Sequence, residues 1–224
     1  MPIPSVSGLA KLAWSHPRYV EHLIVKKLKF FARYRWLEEN AGKDGEVPPP
    51  LVYKLVLTYK CDLRCAMCYE WGDAGWCKRD SPQAAEEELS WGVVENLLSR
   101  HGKQHPSFIL IVGEPLLYSN FERLARALKD ARCFAITCTN GTSLHRFKDV
   151  SAGNPYLTYL VSLDGLRREN DRLRGRGVYD RVTKNIKLIK ALKNPPYVGI
   201  QFTVRPENVS ISAMLLGSEP RRTR

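Results

Sequence analysis

Six cysteines occur in the chain, and three of them stand close enough to share one inorganic centre. The run Cys61-Asp62-Leu63-Arg64-Cys65-Ala66-Met67-Cys68 spaces its thiols as Cys, three residues, Cys, two residues, Cys. Thiolates are the usual ligands of iron–sulfur clusters, which most often take four. Three thiolates would leave one iron open to a small molecule, by the logic that separates open catalytic metal sites from closed structural ones. Two other readings of these thiols stay open. Cys77 could complete a zinc site, although zinc sites usually show two separated pairs of ligands. It could equally complete the cluster of a ferredoxin-like electron carrier. Cys133 and Cys138 fall in an apolar, strand-like stretch and read as buried, inert thiols.

Three further runs carry polar groups that could meet a ligand. Gly113-Glu114-Pro115 offers a permissive backbone, a carboxylate and a fixed turn. A carboxylate there would suit an ammonium group. Thr139-Asn140-Gly141-Thr142 is a turn signal. Ser162-Leu163-Asp164-Gly165 is followed by Asn170-Asp171-Arg172-Leu173-Arg174-Gly175. Taken alone, the first two are ordinary strand-ending turns. The stretch from Arg167 to Arg181 reads as a solvated basic loop and helix start, the usual meaning of a charge run.

These runs sit at regular places in an alternating pattern. Strands are expected at 51–57, 107–112, 133–138, 156–163 and 197–204. Helices are expected at 91–100, 120–130 and 179–192, from apolar residues recurring every three or four positions. Such alternation implies parallel strands joined by crossovers. In these folds the chemistry gathers at the C-terminal ends of the strands. The triad and the three polar runs each follow a strand. The expected fold class is therefore α/β.

At this point the sequence resembles the radical S-adenosylmethionine enzymes, in the SPASM, sulfatase-maturing and peptide-modifying branch. The resemblance covers Leu51 to Val204 and implies a partial (β/α) barrel. It assigns a [4Fe-4S] cluster to Cys61, Cys65 and Cys68, with S-adenosyl-L-methionine on the open iron. It also implies reductive cleavage of that cofactor to a 5′-deoxyadenosyl radical, which takes hydrogen from a peptide, protein or small-molecule substrate. An electron donor such as flavodoxin or ferredoxin is implied with it. By the same resemblance, Gly113, Glu114 and Pro115 seat the methionyl amino group, and Asn140 reaches the ribose or the substrate. Ser162, Asp164 and Arg174 belong to the same site, with Arg174 on the methionyl carboxylate, and Tyr69 offers a ring to adenine. Val112 stands where the family has a first Gly, Met67 where it often has an aromatic residue, and Asn170 where it has a His.

Composition bounds the rest. Hydrophobic residues make up 44% of 224, and the net charge is +12. The basic balance suits an anionic surface or an acidic substrate. No RNA-binding or helix-turn-helix signature accompanies it, so nucleic acid is not expected as a partner. The opening residues show no long apolar stretch with a cleavage site, so a cytoplasmic location is expected. The expected domains are a helical extension over 1–46, the core over 47–207 and a short tail over 208–224. Residues 18–37 are expected to be an amphipathic helix. Val20, Leu23, Ile24, Leu28, Phe31 and Tyr34 form its apolar face, and His22, Lys26, Lys29 and Arg33 its basic face. Its apolar face should pack on the core; the alternative is a helix lying on an anionic membrane. With five strands and a fading pattern after Val204, the chain reads as C-terminally truncated, with an open edge at the fifth strand. The rival functions are an inactive cluster-binding fragment and a basic, membrane-associated adaptor.

Overall fold

The computed structural model describes residues 6–40 and 48–211. Two helices open the chain, α1 (Val6–Ser15) and α2 (Pro17–Glu39), with Pro17 at the start of the second. Proline suits that position because its missing N–H would have no partner there. Then follow β1 (Val52–Val56), α3 (Trp76–Arg79), α4 (Trp91–His101), β2 (Ser107–Ile111), α5 (Phe121–Asp130) and β3 (Ala135–Thr139). The remainder is α6 (Lys148–Ser151), β4 (Leu157–Ser162), α7 (Arg167–Arg174), α8 (Val178–Lys190) and β5 (Tyr197–Gln201).

The five strands form one parallel sheet in the order β1-β2-β3-β4-β5. Spatial order equals chain order, so the sheet is wound in one direction as an open, partial barrel. The strands are short and rich in β-branched and aromatic residues, as parallel strands covered by helices must be. Phe108, Leu110, Tyr159 and Val161 are each at most 1% exposed. Helix α5 turns Phe121, Leu124, Ala125 and Leu128 inward, and α8 turns Val178, Val182 and Ile189 inward. Both follow the spacing of three and four that puts residues on one helical face.

Two stretches differ from the sequence expectation. The basic run at 167–174 is the ordered helix α7, with Asn170 and Leu173 buried. Gly175 closes it at φ +120°, and the Asp171 carboxylate accepts from the N–H groups of Gly177 and Tyr179 at the start of α8. Local capping therefore orders a run whose composition alone suggests a loop.

The second difference is the orientation of α2, which corrects the expectation that its apolar face packs inward. Leu23, Ile24, Leu28, Phe31 and Tyr34 are exposed, and the polar face meets the body instead. Arg33 donates to the carbonyls of Pro48 and Pro49, and Lys29 donates to the carbonyl of Gln104 at 3.1 Å. The His22 ring stacks on Phe134 at 3.9 Å, and Tyr19 stacks on Tyr197 at 4.3 Å. The loops beneath the sheet present unpaired carbonyls, and long cationic side chains satisfy them while lying along apolar surface. Among the described residues, no helix is long and apolar enough to cross a membrane.

Strand β5 pairs only with β4 among the described residues, and Ile200 and Val204 stay 53% and 59% exposed. Residues 209–211 are helical. The rest of the expected tail, 212–224, lies outside the described residues.

The docking of α2 should be sensitive to acid. Burial, then the nearby Lys26 and Lys29 charges, lower the His22 pKa to about 4. Ser107 Oγ lies 3.3 Å from His22 Nε2, and His105 lines the same crevice. A histidine with a depressed folded-state pKa favours the docked state above its free value of about 6.5 and loses that preference as pH falls toward 4. Protection factors in α2, with the intrinsic pH dependence of amide exchange divided out, should therefore fall between pH 6.5 and pH 4. His22→Phe keeps the stack and should abolish the fall; a fall of equal size in the variant would assign it to another group.

Candidate cofactor site

Strand β1 ends at Val56, and the triad loop begins at the C-terminal rim of the sheet. The polar runs that end β2, β3 and β4 lie at the same rim. Sequence spacing located the thiols; the loop's shape depends on residues it did not single out. The Gly72 backbone passes so close that a Cβ there would lie 2.5 Å from the Cys68 carbonyl and 3.0 Å from that of Cys65. Trp71 is buried, donates from its indole N–H to the Tyr59 carbonyl at 2.7 Å, and carries Arg64 over its ring at 4.4 Å. Helix α7 holds the loop from the side, through Ala66 N–H to the Leu173 carbonyl at 2.8 Å.

The three sulfurs are not closed on a single-ion position, nor is any other trio of His, Cys, Asp or Glu among the described residues. Cys61 and Cys65 lie within electrostatic reach of each other, as do Cys65 and Cys68. Zinc needs its ligands around one ion, whereas each thiolate of a four-iron cluster binds a different iron. Each sulfur also has at least one N–H donor nearby. Asn140 Nδ2 lies 3.8 Å from Cys61 Sγ, an Arg174 guanidinium nitrogen lies 3.8 Å from Cys65 Sγ, and Trp71 N–H lies 3.3 Å from Cys68 Sγ. Such donors suit electron-rich sulfur, so the residues present fit an iron–sulfur group.

With protein groups alone around them, these thiols hold their protons. Burial pushes Cys61 up to about 12, and the Glu114 and Asp62 carboxylates add to it against the Leu63 N–H. Burial also raises Cys65, opposed by Arg174, and raises Cys68, which lies beside Glu70. Ligation would have to release those protons.

The other sequence-named residues divide by how much of them is already engaged. Glu114 is fully buried and satisfied by protein: Thr139 Oγ1 at 2.7 Å, Asn140 N–H at 2.6 Å and Leu116 N–H at 3.0 Å all donate to it. Burial dominates and raises its pKa to about 7 despite those donors. Asp164 is likewise fully buried, with Arg174 Nε at 2.7 Å and Thr203 N–H at 2.8 Å. The Arg174 side chain is 10% exposed and points inward toward Cys65. Ser162 is half-buried at the end of β4. Pro115 is buried at the start of a single 3-10 turn. Tyr69 is 78% exposed. Gly113 adopts φ +55°, and a Cβ there would lie 2.5 Å from the Thr58 carbonyl, so the end of β2 closes directly on the triad loop.

The rim of a one-way parallel sheet thus carries three thiols on one loop. The chain belongs to the Radical SAM superfamily, whose sequence pattern it matches over residues 55–211. Members of this family take a [4Fe-4S] cluster and S-adenosylmethionine. The chain is 28% identical over 155 residues to an Fe-coproporphyrin III synthase of Methanosarcina barkeri, covering 68% of this chain and 37% of that protein. It is 28% identical over 169 residues to a pre-heme d1 synthase of Dinoroseobacter shibae, covering 74% and 39%. It therefore spans less than two-fifths of the length of these curated relatives. Its fold is similar to that of Streptococcus suis SuiB, solved with the precursor peptide SuiA, at TM-score 0.58 and 19% identity, covering 82% of this chain and 39% of SuiB.

Val112 occupies the left-handed region at φ +73°. For a β-branched residue that conformation costs roughly 1–2 kcal/mol. Glycine removes the cost and gives part of it back as added freedom of the unfolded chain, roughly 0.4–1 kcal/mol. Val112→Gly should therefore raise the urea midpoint by up to about 1 kcal/mol in stability with an unchanged slope. A lower midpoint would mean that the Val112 side chain contributes more by packing than its backbone costs.

Proposed function

We propose that this chain carries the catalytic core of a radical S-adenosylmethionine enzyme, with residues 47–207 as the chemical unit and 1–46 as a docked extension. Cys61, Cys65 and Cys68 would hold the [4Fe-4S] cluster, which when bound would supply the electron for reductive cleavage of S-adenosylmethionine and so for hydrogen abstraction from the substrate. The observation that carries this reading is the triad at the sheet rim with at least one N–H donor for each sulfur. Arg174 supplies a fixed cation beside Cys65 for the methionyl carboxylate, a task its planar fork suits. Gly113 brings backbone close to the triad loop, where the methionyl amino group would sit. The substrate is a peptide, a protein or a small molecule, and a flavodoxin or ferredoxin supplies the electron. SuiB's peptide favours the first two, and the names of the two synthases favour the last. The excess of 35 basic over 23 acidic residues favours an acidic substrate in either case.

Anaerobic reconstitution with iron and sulfide, followed by dithionite and S-adenosylmethionine, tests the reading. The wild-type chain should bind about four irons, as the cluster type demands, and release 5′-deoxyadenosine. Cys61→Ala, Cys65→Ala and Cys68→Ala should each lose the brown chromophore. Cys77→Ala and Cys133→Ala should keep it. Loss in Cys77→Ala would instead make that thiol the fourth ligand and favour the electron carrier. Iron binding without 5′-deoxyadenosine would favour the inactive cluster-binding fragment.

A second reading concerns the outer face of α2, where Leu23, Ile24, Leu28 and Phe31 are exposed together. That stripe favours peripheral contact with a lipid surface, from a cytoplasmic protein. With Lys29 and Arg33 committed to the body, the contact should be mainly apolar. Sedimentation with liposomes should change little with salt, and Leu28→Glu should abolish it. Failure of the wild-type chain to sediment at any salt removes the reading.

A further inference from the structure

Asn140 closes β3, and its side chain is committed to protein on every side. Asn140 Oδ1 accepts from the Thr142 N–H at 2.9 Å, and the Thr142 hydroxyl lies 2.8 Å away. Asn140 Nδ2 donates to Asp62 Oδ1 at 2.8 Å and lies 3.8 Å from Cys61 Sγ. The other Asp62 oxygen lies 2.7 Å from the Thr142 hydroxyl. This pattern fixes which amide atom is nitrogen. The reverse assignment would set an NH2 against an N–H and a carbonyl oxygen against a carboxylate. The residue is only 7% exposed, so its amide offers little to an incoming ligand.

The platform beneath it is rigid. The Asn140 main-chain N–H is held by Glu114, and Asn185 of α8 donates to the carbonyls of Gly141 and Thr142 at 2.9 and 2.8 Å. Asp62, by contrast, is at the surface, on a loop that has no strand partner of its own. The contact therefore runs from a fixed strand end to the loop that needs fixing.

We propose that Asn140 is a positioning residue for the cluster, in place of a contact to the ribose or the substrate. One amide hydrogen clamps Asp62, and with it the first cysteine of the loop, to the end of β3. The other is aimed at the Cys61 sulfur. An N–H on a ligating sulfur favours the more negative, reduced state, so this contact raises the reduction potential. The inference rests on the reading that the triad holds the cluster.

Two measurements on Asn140→Ala and on Asn140→Asp, which keeps the volume, test it. The first needs no iron: hydrogen exchange at residues 61–68 of the cluster-free chain. Loss of a charge-assisted hydrogen bond should speed exchange there roughly tenfold in both variants, with exchange in β1 and β2 unchanged. The second is an EPR-monitored redox titration of reconstituted protein. Asn140→Ala, which adds no charge, should titrate at a more negative potential than wild type at equal iron content, a shift that a merely structural role would not produce. Unchanged exchange overturns the clamp, and an unchanged potential at full iron loading overturns the sulfur contact. A wild-type chain that takes no iron would defeat the cluster reading itself, and the exchange result would then still decide the clamp.

Discussion

A carboxylate buried with no cation is expensive, and the rim of this sheet is built around one. Glu114 has no exposure and no basic partner among the groups that contact it. Its donors come from the turn after β2 and from the last residues of β3. Removing any one would leave part of a buried carboxyl unsatisfied, at about 1–3 kcal/mol. That penalty locks the ends of β2 and β3 together. Everything on the cofactor side then builds outward from a fixed pair of strand ends. Asn140 stands on Glu114, Asp62 hangs from Asn140, and Cys61 immediately precedes Asp62 in the chain. Gly113, one residue before the carboxyl, lets the same turn touch the start of the triad loop.

At the opposite end of the sheet the polar and apolar roles are reversed. A parallel sheet leaves loop carbonyls below its strands, and an apolar helix face laid across them would bury them unpaired. The cations of α2 solve that problem, and the cost is an exposed apolar stripe. Periodicity shows that a helix has two faces. Which face turns inward depends on the chemistry of the surface it meets, and that surface is assembled from Pro48, Pro49, Gln104 and Phe134, which are distant from one another in the chain.

The same distinction governs what could be read from the sequence at the site. The thiol spacing and the alternation of strands and helices are local patterns, so the triad, the five strands and the polar runs that end them were legible. Val112 was legible as a departure, and its φ of +73° follows from the neighbouring backbone. Asp62 was not, because an Asp between two other residues of a cysteine loop has no signature until Asn140 and Thr142 are brought against it. Gly72 and Trp71 were missed for the same reason: what they touch is backbone folded back over itself. Helix α7 was hidden by composition, since Gly175 ends it and Asp171 ties it to the start of α8, neither of which shows as apolar periodicity.

Asp164 extends this dependence to the far edge of the sheet. The Arg174–Asp164 pair is enclosed, so its Coulomb attraction is little screened, but its desolvation is costly and the remaining acceptor sites must be filled. They are filled from beyond β5: Thr203 N–H donates to Asp164 Oδ1, and Asn208 Nδ2 donates to the Asp164 carbonyl at 3.0 Å. Arg174 in turn is the cation beside Cys65. A continuous set of polar contacts thus runs from residue 208 to the middle thiol of the triad. If the segment after β5 moved, Asp164 would lose donors in a buried place, and the position of Arg174 over the sulfur would shift with it. The segment after β5 and the thiol end of the sheet are therefore joined by hydrogen bonds that pass through Asp164 and Arg174.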